Sequence, residues 1–193
     1  MMVSMSYPPE HKVKTHTRIV TAAAKSFRQA GMLATGIDQL MADAGLTRGG
    51  FYAHFRSKAA LFAESLQAAF AEARENLLFK GLDKRSGHEW VQAASKRYLA
   101  KSHRDTPDEG CAIPALGAEV ARAPDEVKEA FEREVDGIIT AISERGGLSK
   151  PEATALLATW VGGITLARGM KDPAASSQVL EDCRAEVARR FPG

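Results

Sequence analysis

The sequence predicts an all-α protein of about nine helices. Apolar residues recur every three or four positions along most of the 193-residue chain, which is the spacing of an amphipathic helix. Alternation of apolar and polar residues is nearly absent and no Asn-Gly hairpin turn occurs, so strands are not expected. Glycine, proline and capping residues separate the periodic stretches. The predicted helices cover residues 12–30, 36–44, 48–54, 58–80, 88–103, 113–123, 125–145, 151–168 and 172–191.

Local signals set the limits of the first two helices. Ile19 and Phe27 lie on one face of the first helix, and Gly31 ends it because glycine favours the left-handed conformation after a helix. Thr35 is a predicted N-cap for the second helix. Asp38, three residues later, completes a variant of the capping box.

Similar signals mark the later helices. Ser57 caps a long fourth helix, whose apolar stripe continues to about Lys80. Pro114 is tolerated in the first turn of the sixth helix. Gly146 and Gly147 end the seventh, and Ser149 caps the eighth. Because no flexible linker interrupts the fourth helix, we expect it to connect an N-terminal head to a C-terminal body.

Composition places the chain among ordinary globular proteins. Charged residues make up 26% and hydrophobic residues 45% of the sequence. No run of about 18 apolar residues occurs, so no membrane partner is expected. The first residues lack the basic-then-apolar order of a secretory signal, and only two cysteines are present. A reducing, cytoplasmic location is therefore expected.

The charge is distributed unevenly. Residues 1–58 contain eight Lys/Arg and three acidic residues, a net charge of +5. The rest of the chain contains 18 basic and 21 acidic residues, a net charge of −3. A basic end on a mildly acidic body suits contact with phosphates through that end.

Residues 35–58 read as two short helices joined by a glycine turn. Leu40 and Met41 mark the inner face of the first, Gly45 stands at its end, and Phe51 and Phe55 point inward from the second. A polar surface remains on the outside of the second helix. A helix held at a fixed angle by a partner helix suits the DNA major groove. The outward residues are Arg48, Gly49, Gly50, Tyr52 and His54.

The run AGLTRGGFYAHFRSKAAL, residues 44–61, resembles the signature of one-component repressors of the tetracycline-repressor (TetR) family. The resemblance covers about residues 12–65. It implies a DNA-binding domain over residues 12–58, with the helix-turn-helix motif at about 36–55, and a ligand-binding and dimerisation domain over residues 59–193.

The resemblance also implies which residues meet DNA. A guanidinium at Arg48 can pair with both acceptors of a guanine, whereas Gly49 and Gly50 let the backbone approach the duplex. Gly36 stands where many members carry a threonine or serine. The DNA-binding residues implied in this way are Thr35, Thr47, Arg48, Gly49, Gly50, Tyr52, His54 and Lys58.

For the body, the resemblance implies a small-molecule effector, no cofactor, and a homodimer through helices eight and nine. A twofold dimer presents two recognition helices to a palindromic operator in double-stranded DNA. The candidate ligand-binding residues are Phe70, Trp90, Tyr98, Cys111, Phe131 and Trp160. The apolar residues expected to be buried against the partner subunit in the dimer are Leu156, Leu157, Trp160, Val161 and Ile164.

Two alternatives stay open. Cys111 lies at the start of the sixth helix, where a helix N-terminus lowers a thiol pKa, so it could sense electrophiles or oxidants, or it could be a buried structural thiol. The chain could instead be a helical small-molecule-binding or interaction protein that does not bind DNA. No catalytic motif occurs, and Cys111 and Cys183 have no neighbouring histidine to form a metal site. We therefore expect neither an enzyme nor a metal centre.

Overall fold

The computed structural model describes residues 9–193, which contain helices and no strand. The all-α prediction is confirmed. The sequence segment in which a secretory signal was considered lies mostly outside the described residues. The helices are α1 Pro9–Ala30, α2 Ile37–Asp43, a 3-10 helix Arg48–Ala53, α3 Lys58–Ala73, α4 Gly87–Tyr98, α5 Lys101–Asp105, α6 Ala112–Val120, α7 Asp125–Gly146, α8 Lys150–Gly169 and α9 Pro173–Arg190.

Several predicted helix ends are confirmed. The amide of Ala60 donates to the Ser57 hydroxyl at 3.0 Å, so Ser57 caps α3. The amide of Ser149 donates to the Glu152 carboxylate at 3.0 Å, the reciprocal contact of a capping box. Gly147 ends α7 with a φ of 62°, a left-handed conformation that favours glycine.

The cap predicted at Thr35 is wrong. Helix α2 begins after Gly36, and no side chain caps it. Thr35 is only 5% exposed, and its hydroxyl donates to the Gly31 carbonyl at 2.6 Å, at the end of α1. The hydroxyl therefore pairs with a carbonyl just after the end of α1 and is not available as a cap for α2.

Two long predicted helices are divided. The fourth changes to a π-helix over Arg74–Phe79 after α3. The fifth is broken near Leu99 and Ala100 into α4 and the short α5. A break that shifts the hydrogen-bond register by one residue leaves the apolar spacing almost unchanged, so periodicity alone does not reveal it.

Helix α3 lies in both parts of the molecule. It packs against α1 in the head and against α7 in the body. Phe27 of α1 meets Phe62 of α3 edge-to-face at 5.0 Å, and both rings are fully buried. Further along, Phe70 meets Phe131 of α7 at 5.7 Å. One continuous core therefore extends from the head into the body.

Polar contacts also fasten the head to the body. The guanidinium of Arg28 donates to the Gly110 carbonyl at 2.9 Å and to the Glu72 carboxylate at 2.7 Å, and its side chain is completely buried. The Leu33 amide donates to Glu119 of α6 at 3.1 Å. Arg56, just before α3, pairs with Glu126 of α7. Movement of α6 or α7 would therefore act directly on the head.

Candidate DNA-binding surface and effector cavity

The helix-turn-helix is held from the inside by apolar residues. Phe51 and Phe55 are buried, with ring centroids 5.7 Å apart. Gly45 turns the chain between the helices with a φ of 66°. Arg18 of α1 donates to the Ala44 carbonyl at 2.8 Å and so satisfies the end of α2. The second helix of the motif is thereby fixed against its neighbours.

That second helix is a 3-10 helix over Arg48–Ala53, where the sequence predicted an α-helix to residue 54. The amide of Gly50 bonds to the Thr47 carbonyl and that of His54 to the Phe51 carbonyl, both with i→i−3 spacing. Two adjacent glycines give little helix propensity, and six residues are too few to offset it by propagation. Thr47 stands at the N-cap, but its side chain makes no capping bond and is exposed.

The outer surface of this helix is polar and accessible. Thr47, Arg48 and Gly49 are exposed, and Gly50 is half-buried. The Tyr52 side chain is 67% exposed, with its ring held edge-on against Phe51 at 5.2 Å. An aromatic ring fixed at its base and free at its hydroxyl is positioned to donate to an external acceptor.

The glycines leave the backbone uncovered. A Cβ atom at position 49 would have no neighbour within 4 Å, and one at position 50 would only touch the Met41 side chain at 3.6 Å. Neither glycine has a positive φ. Internal packing and backbone conformation therefore do not require glycine at these positions.

Arg48 has a partner that the sequence reasoning missed. Its guanidinium donates to the Asp38 carboxylate at 2.9 Å, and both side chains are 66% exposed. Asp38 lies in the first turn of α2, where it was expected to form a capping box. The sequence contains a signal for this pair: Asp38 and Arg48 have opposite charges and lie on two helices joined by a tight turn.

His54 lies at the rim of the surface beside a second histidine. The centroids of the His16 and His54 rings are 6.0 Å apart, and His16 contacts Glu64 at 2.6 Å. Burial lowers the pKa of His54, and the charges of His16 and Lys12 lower it further. His54 is therefore neutral near pH 7 and offers one N–H as a hydrogen-bond donor.

The other predicted DNA-binding residues differ in placement. Lys58 begins α3, shortly after the 3-10 helix, and is half-buried. Thr35 is turned into the protein, whereas Thr47, Arg48, Gly49 and Tyr52 are exposed. Lys12 of α1 was missed, although it acts on His54 and is exposed. The cluster of basic residues at the start of α1 was the signal for it.

Three of the six candidate ligand-binding residues line one cavity in the body. Tyr98, Cys111 and Trp160 contribute to its wall, together with residues of α3, its π-helical end, α7 and α8. The space is about 10 Å³, which holds about one water molecule. In this conformation the cavity therefore has no room for a ligand of several heavy atoms.

The other three candidates pack elsewhere in the core. The Trp90 indole N–H donates to the Leu78 carbonyl at 3.1 Å. Phe70 and Phe131 pack against each other and are outside the cavity wall. Trp90 connects α4 to the π-helix, and the two phenylalanines connect α3 to α7, which is the packing role that buried aromatic residues usually have.

Cys111 is held in a buried polar network. Its amide donates to His103 Nε2 at 3.0 Å, and the other ring nitrogen of His103 lies 2.6 Å from the Tyr98 carbonyl. Burial raises the pKa of the Cys111 thiol, although the Tyr98 hydroxyl and the Arg168 charge oppose the shift. The thiol is therefore protonated near pH 7, and desolvation outweighs the influence of the helix N-terminus.

Burial of the ring lowers the pKa of His103 to about 4, and the Arg168 charge lowers it further, whereas the hydrogen bond to the Tyr98 carbonyl raises it. Arg168 donates to the backbone carbonyls of His103 and Arg104 at 2.7 and 2.9 Å.

Over the part of the chain that the structure describes, no group of three His, Cys, Asp or Glu residues could hold a metal ion. Within that part, no helix has both the length and the apolar character needed to cross a bilayer.

Comparison with known proteins places this geometry in a family. The sequence pattern of bacterial regulatory proteins of the tetR family matches residues 19–65, the segment that forms the helix-turn-helix and its supports. The head of the chain matches the TetR family. The TetR pattern ends within α3 and does not cover the body.

Two sequence relatives are named transcriptional regulators. The chain is 25% identical to the repressor NemR of Escherichia coli strain K12 over 198 aligned positions, covering 95% of this chain and 96% of NemR. It is 30% identical over 90 residues to the regulator YfiR of Bacillus subtilis strain 168, covering 47% of this chain and 42% of YfiR. The chain thus aligns with nearly all of the first relative and with less than half of the second.

Solved structures of TetR proteins share the fold. The reduced form of Escherichia coli NemR superposes with a TM-score of 0.75 at 23% identity, covering 91% of this chain and 96% of that one. AibR in complex with isovaleryl coenzyme A and operator DNA superposes with a TM-score of 0.60 at 18% identity, covering 92% and 98%. The arrangement of head and body is therefore that of known TetR structures.

Proposed function

We propose that this protein is a homodimeric transcriptional repressor of the cytoplasm that leaves a palindromic operator when a small molecule binds its body. The observation that carries the proposal is the exposed polar surface of the 3-10 helix, held rigidly by buried Phe51 and Phe55. The named functions of NemR, a repressor, and of AibR, seen with operator DNA, support it.

The roles follow from chemistry and placement. Arg48 reads a base edge, because a guanidinium pairs with guanine O6 and N7 at about 1–3 kcal/mol of discrimination. Tyr52, His54 and Lys58 bind phosphates and fix the register of the head. Gly49 and Gly50 admit the DNA backbone, and Thr47 offers its free hydroxyl at the N-terminus of the helix. Thr35 has no part in this arrangement because its hydroxyl is committed to α1.

The dimer is proposed to form through α8 and α9, with a corrected set of contact residues. Leu156, Leu157, Trp160 and Ile164 are 0–4% exposed within one chain, so they need no partner to cover them. The outer face of α8 instead presents Leu166, which is 60% exposed, and Gly162, where a Cβ atom would meet nothing within 4 Å. Those positions, together with the half-buried Val161, suit close packing against a second copy.

A substitution on this face tests the dimer. Leu166→Glu places a charge in the proposed interface, and sedimentation should show monomers at concentrations at which the wild type is dimeric. Leu33→Glu is the matched control, because Leu33 is exposed in the head, far along the chain from α8. A dimer that withstands Leu166→Glu as well as Leu33→Glu would place the interface on another face.

Relief of repression is proposed to pass through the head–body contacts. An effector shifts the equilibrium only by binding the non-DNA conformation more tightly, typically by about 1–3 kcal/mol. Helix α3 joins the cavity to the head, and Glu119 of α6 and Glu126 of α7 contact residues next to the motif. A change in the cavity therefore has a short physical path to the recognition helix.

Response through Cys111 is the second candidate, and one observation supports it: Cys111 lies in the cavity wall. In the described conformation Cys111 is only 1% exposed, and this burial keeps its thiol protonated. Iodoacetamide labelling of the folded protein distinguishes the candidates. Cys183, which is half-buried, should be labelled first if Cys111 is structural, whereas fast labelling of Cys111 with loss of operator binding would favour a thiol sensor.

DNA binding itself is tested with the fragment upstream of the protein's own gene. At low ionic strength we expect a retarded complex that survives excess random DNA, since specific binding exceeds non-specific binding by about 10³-fold or more. A protein that binds no promoter fragment under these conditions, or that binds only an acidic protein, would instead be the interaction protein considered as an alternative.

A further inference from the structure

The cavity between α3, α4, α7 and α8 contains polar groups without partners. Arg74 is the single charged residue in its wall. Among the described residues its side chain makes no hydrogen bond or ion pair, although its charge acts on Glu134 of α7. An arginine beside an otherwise apolar wall, with all its donors free, is available for an anionic group.

Tyr98 supplies a second free donor in the same wall. The residue is 2% exposed, and its hydroxyl has no hydrogen-bonding oxygen or nitrogen among the described residues. Its polar neighbour is the Cys111 thiol, which is a weak hydrogen-bonding group. A buried hydroxyl without a proper acceptor costs free energy, so a ligand oxygen at this position would be stabilised.

The rest of the wall is apolar. It includes Leu77, Leu157 and the face of Trp160, whose ring stacks on Tyr98 with centroids 5.1 Å apart. Burying hydrocarbon against such a wall is favourable in proportion to the area removed from water. The combination of one free cation, one free hydroxyl and an apolar wall describes a receptor for a compact apolar acid.

We propose that the effector is an apolar carboxylic acid, whose carboxylate accepts hydrogen bonds from Arg74 and the Tyr98 hydroxyl and whose hydrocarbon part packs against Trp160. This inference rests on the proposed function, because it names the class of molecule that the body senses.

Because the cavity holds only about one water molecule, the proposed acid requires one wall to move. Arg74, Leu77 and Leu78 belong to the π-helix at the end of α3. A π-helical turn is less stable than an α-helical one and recurs at functional sites. A ligand that enters beside Arg74 displaces this segment, and the displacement is carried along α3 to Lys58 in the head. Acid binding and head movement are thereby coupled.

Trp160 provides a direct measurement that needs no DNA. The purified full-length protein is titrated with cyclohexanecarboxylate, and tryptophan fluorescence is followed with excitation at a wavelength that the ligand does not absorb. Cyclohexylmethanol is the neutral probe of nearly the same shape. We expect a saturable change with the acid and binding weaker by about ten-fold or more with the alcohol, because the alcohol cannot form the charge-assisted bond to Arg74.

Two variants assign the donors. Arg74→Gln should weaken acid binding about ten-fold or more and leave the alcohol unaffected, whereas Tyr98→Phe should weaken acid binding several-fold while keeping the ring. Arg133→Gln, at an exposed position on α7, is the matched control and should bind the acid like the wild type. Circular dichroism checks that each variant keeps its helices.

Equal binding of acid and alcohol, no binding of the acid, or unchanged acid binding by folded Arg74→Gln would each overturn the inference. Operator binding by the ligand-free wild type is measured separately. If the ligand-free wild type binds no operator but the protein binds the acid selectively, only the proposed function is contradicted. If the protein binds the operator but does not prefer the acid to the alcohol, only this inference is contradicted.

Discussion

The guanidinium of Arg48 lies 2.9 Å from the Asp38 carboxylate, across the turn of the helix-turn-helix. The arginine proposed to read a base is therefore paired, in the DNA-free protein, with an acid on the supporting helix. Both side chains are largely exposed, and such pairs typically contribute about 0–1 kcal/mol. The pair orients Arg48 but is weak, so Arg48 can leave Asp38 and pair with a base instead.

Removing the arginine should weaken and relax base recognition. Arg48→Ala is expected to lower operator affinity and to lose about 1–3 kcal/mol of discrimination at one base pair per half-site. Equilibrium binding to the operator and to its single-base variants measures both effects. Arg189→Ala, an exposed arginine at the end of α9, is the control. Wild-type affinity and preference in Arg48→Ala would remove this residue from the mechanism.

Removing the acid should have a different effect. Asp38→Asn deletes a negative charge near the phosphates and frees Arg48, so binding to random DNA should strengthen while the ratio of operator to random binding falls. The measurement is competition between operator and random fragments at fixed salt. Asp83→Asn, in the exposed loop before α4, controls for the change in net charge. An unchanged ratio would show that Asp38 does not position Arg48.

Phosphate contacts are separated from base contacts by their salt dependence. Lys58→Ala should weaken binding on every sequence and reduce the slope of log affinity against log salt by about two for a dimer, since each neutralised phosphate contributes about 0.9. Tyr52→Phe should also weaken binding uniformly but keep the slope, because the lost group is neutral. A wild-type slope for Lys58→Ala would count against its contact with phosphate.

The helix-turn-helix was the most predictable part of the molecule. Buried Phe51 and Phe55, the turn at Gly45 and the cap at Ser57 all have local signatures, since each depends on residues a few positions apart. The role of Thr35 was not predictable in this way. Its hydroxyl could accept from an amide at the start of α2 or donate to the Gly31 carbonyl, and only the packing of α1 against the turn decides between them.

The cavity was harder to predict than the head. Six aromatic or thiol residues were candidates, but three of them fill the core because neighbouring helices close over them. Arg74 was missed, since its use depends on the π-helical register and on facing α7. Long-range placement of this kind depends on helix packing and leaves little trace in the spacing of residues along one helix.

The buried arginine at the head–body junction should matter for stability. Arg28 makes hydrogen bonds to Ala24, Gly110 and Glu72. Arg28→Met is expected to lower the free energy of unfolding by about 3 kcal/mol, because two buried carbonyls and a carboxylate lose a charged donor. Chemical denaturation measures the loss. Glu72→Gln should cost less, since Glu72 is partly exposed and its partner Arg28 keeps two carbonyl acceptors.

If Arg28→Met were no more costly than Glu72→Gln, the junction would be held by apolar packing alone. The contacts of Arg28 with Gly110 would then be too weak to transmit movement from the cavity wall, where Gly110 precedes Cys111. The comparison therefore tests the proposed coupling as well as the stability of the fold.

Burial of His103 predicts an acid-sensitive fold. Its pKa is about 4 in the folded chain against 6.5 for an unperturbed histidine, so the unfolded chain binds the proton first as the pH falls. The contribution of His103 is present above pH 6.5 and is lost as the pH falls toward 4, up to about 3 kcal/mol. Protonation would place a hydrogen on Nε2, where the Cys111 amide already donates.

Denaturation at several pH values checks this contribution. His103→Gln should show a shallower loss of unfolding free energy between pH 6.5 and 4 than the wild type, because glutamine does not titrate. His88→Gln, at an exposed position of α4, should follow the wild-type curve. Parallel curves for His103→Gln and the wild type would show that other groups cause the acid sensitivity.

Footprinting of the wild-type protein on the DNA upstream of its own gene tests the central claim most directly. Two protected half-sites, related by a palindrome and centred about 34–36 Å apart or a small multiple of that distance, are the predicted result. Protection should weaken sharply as salt is raised. An unprotected fragment at low ionic strength, with the protein folded and in excess, would contradict the account.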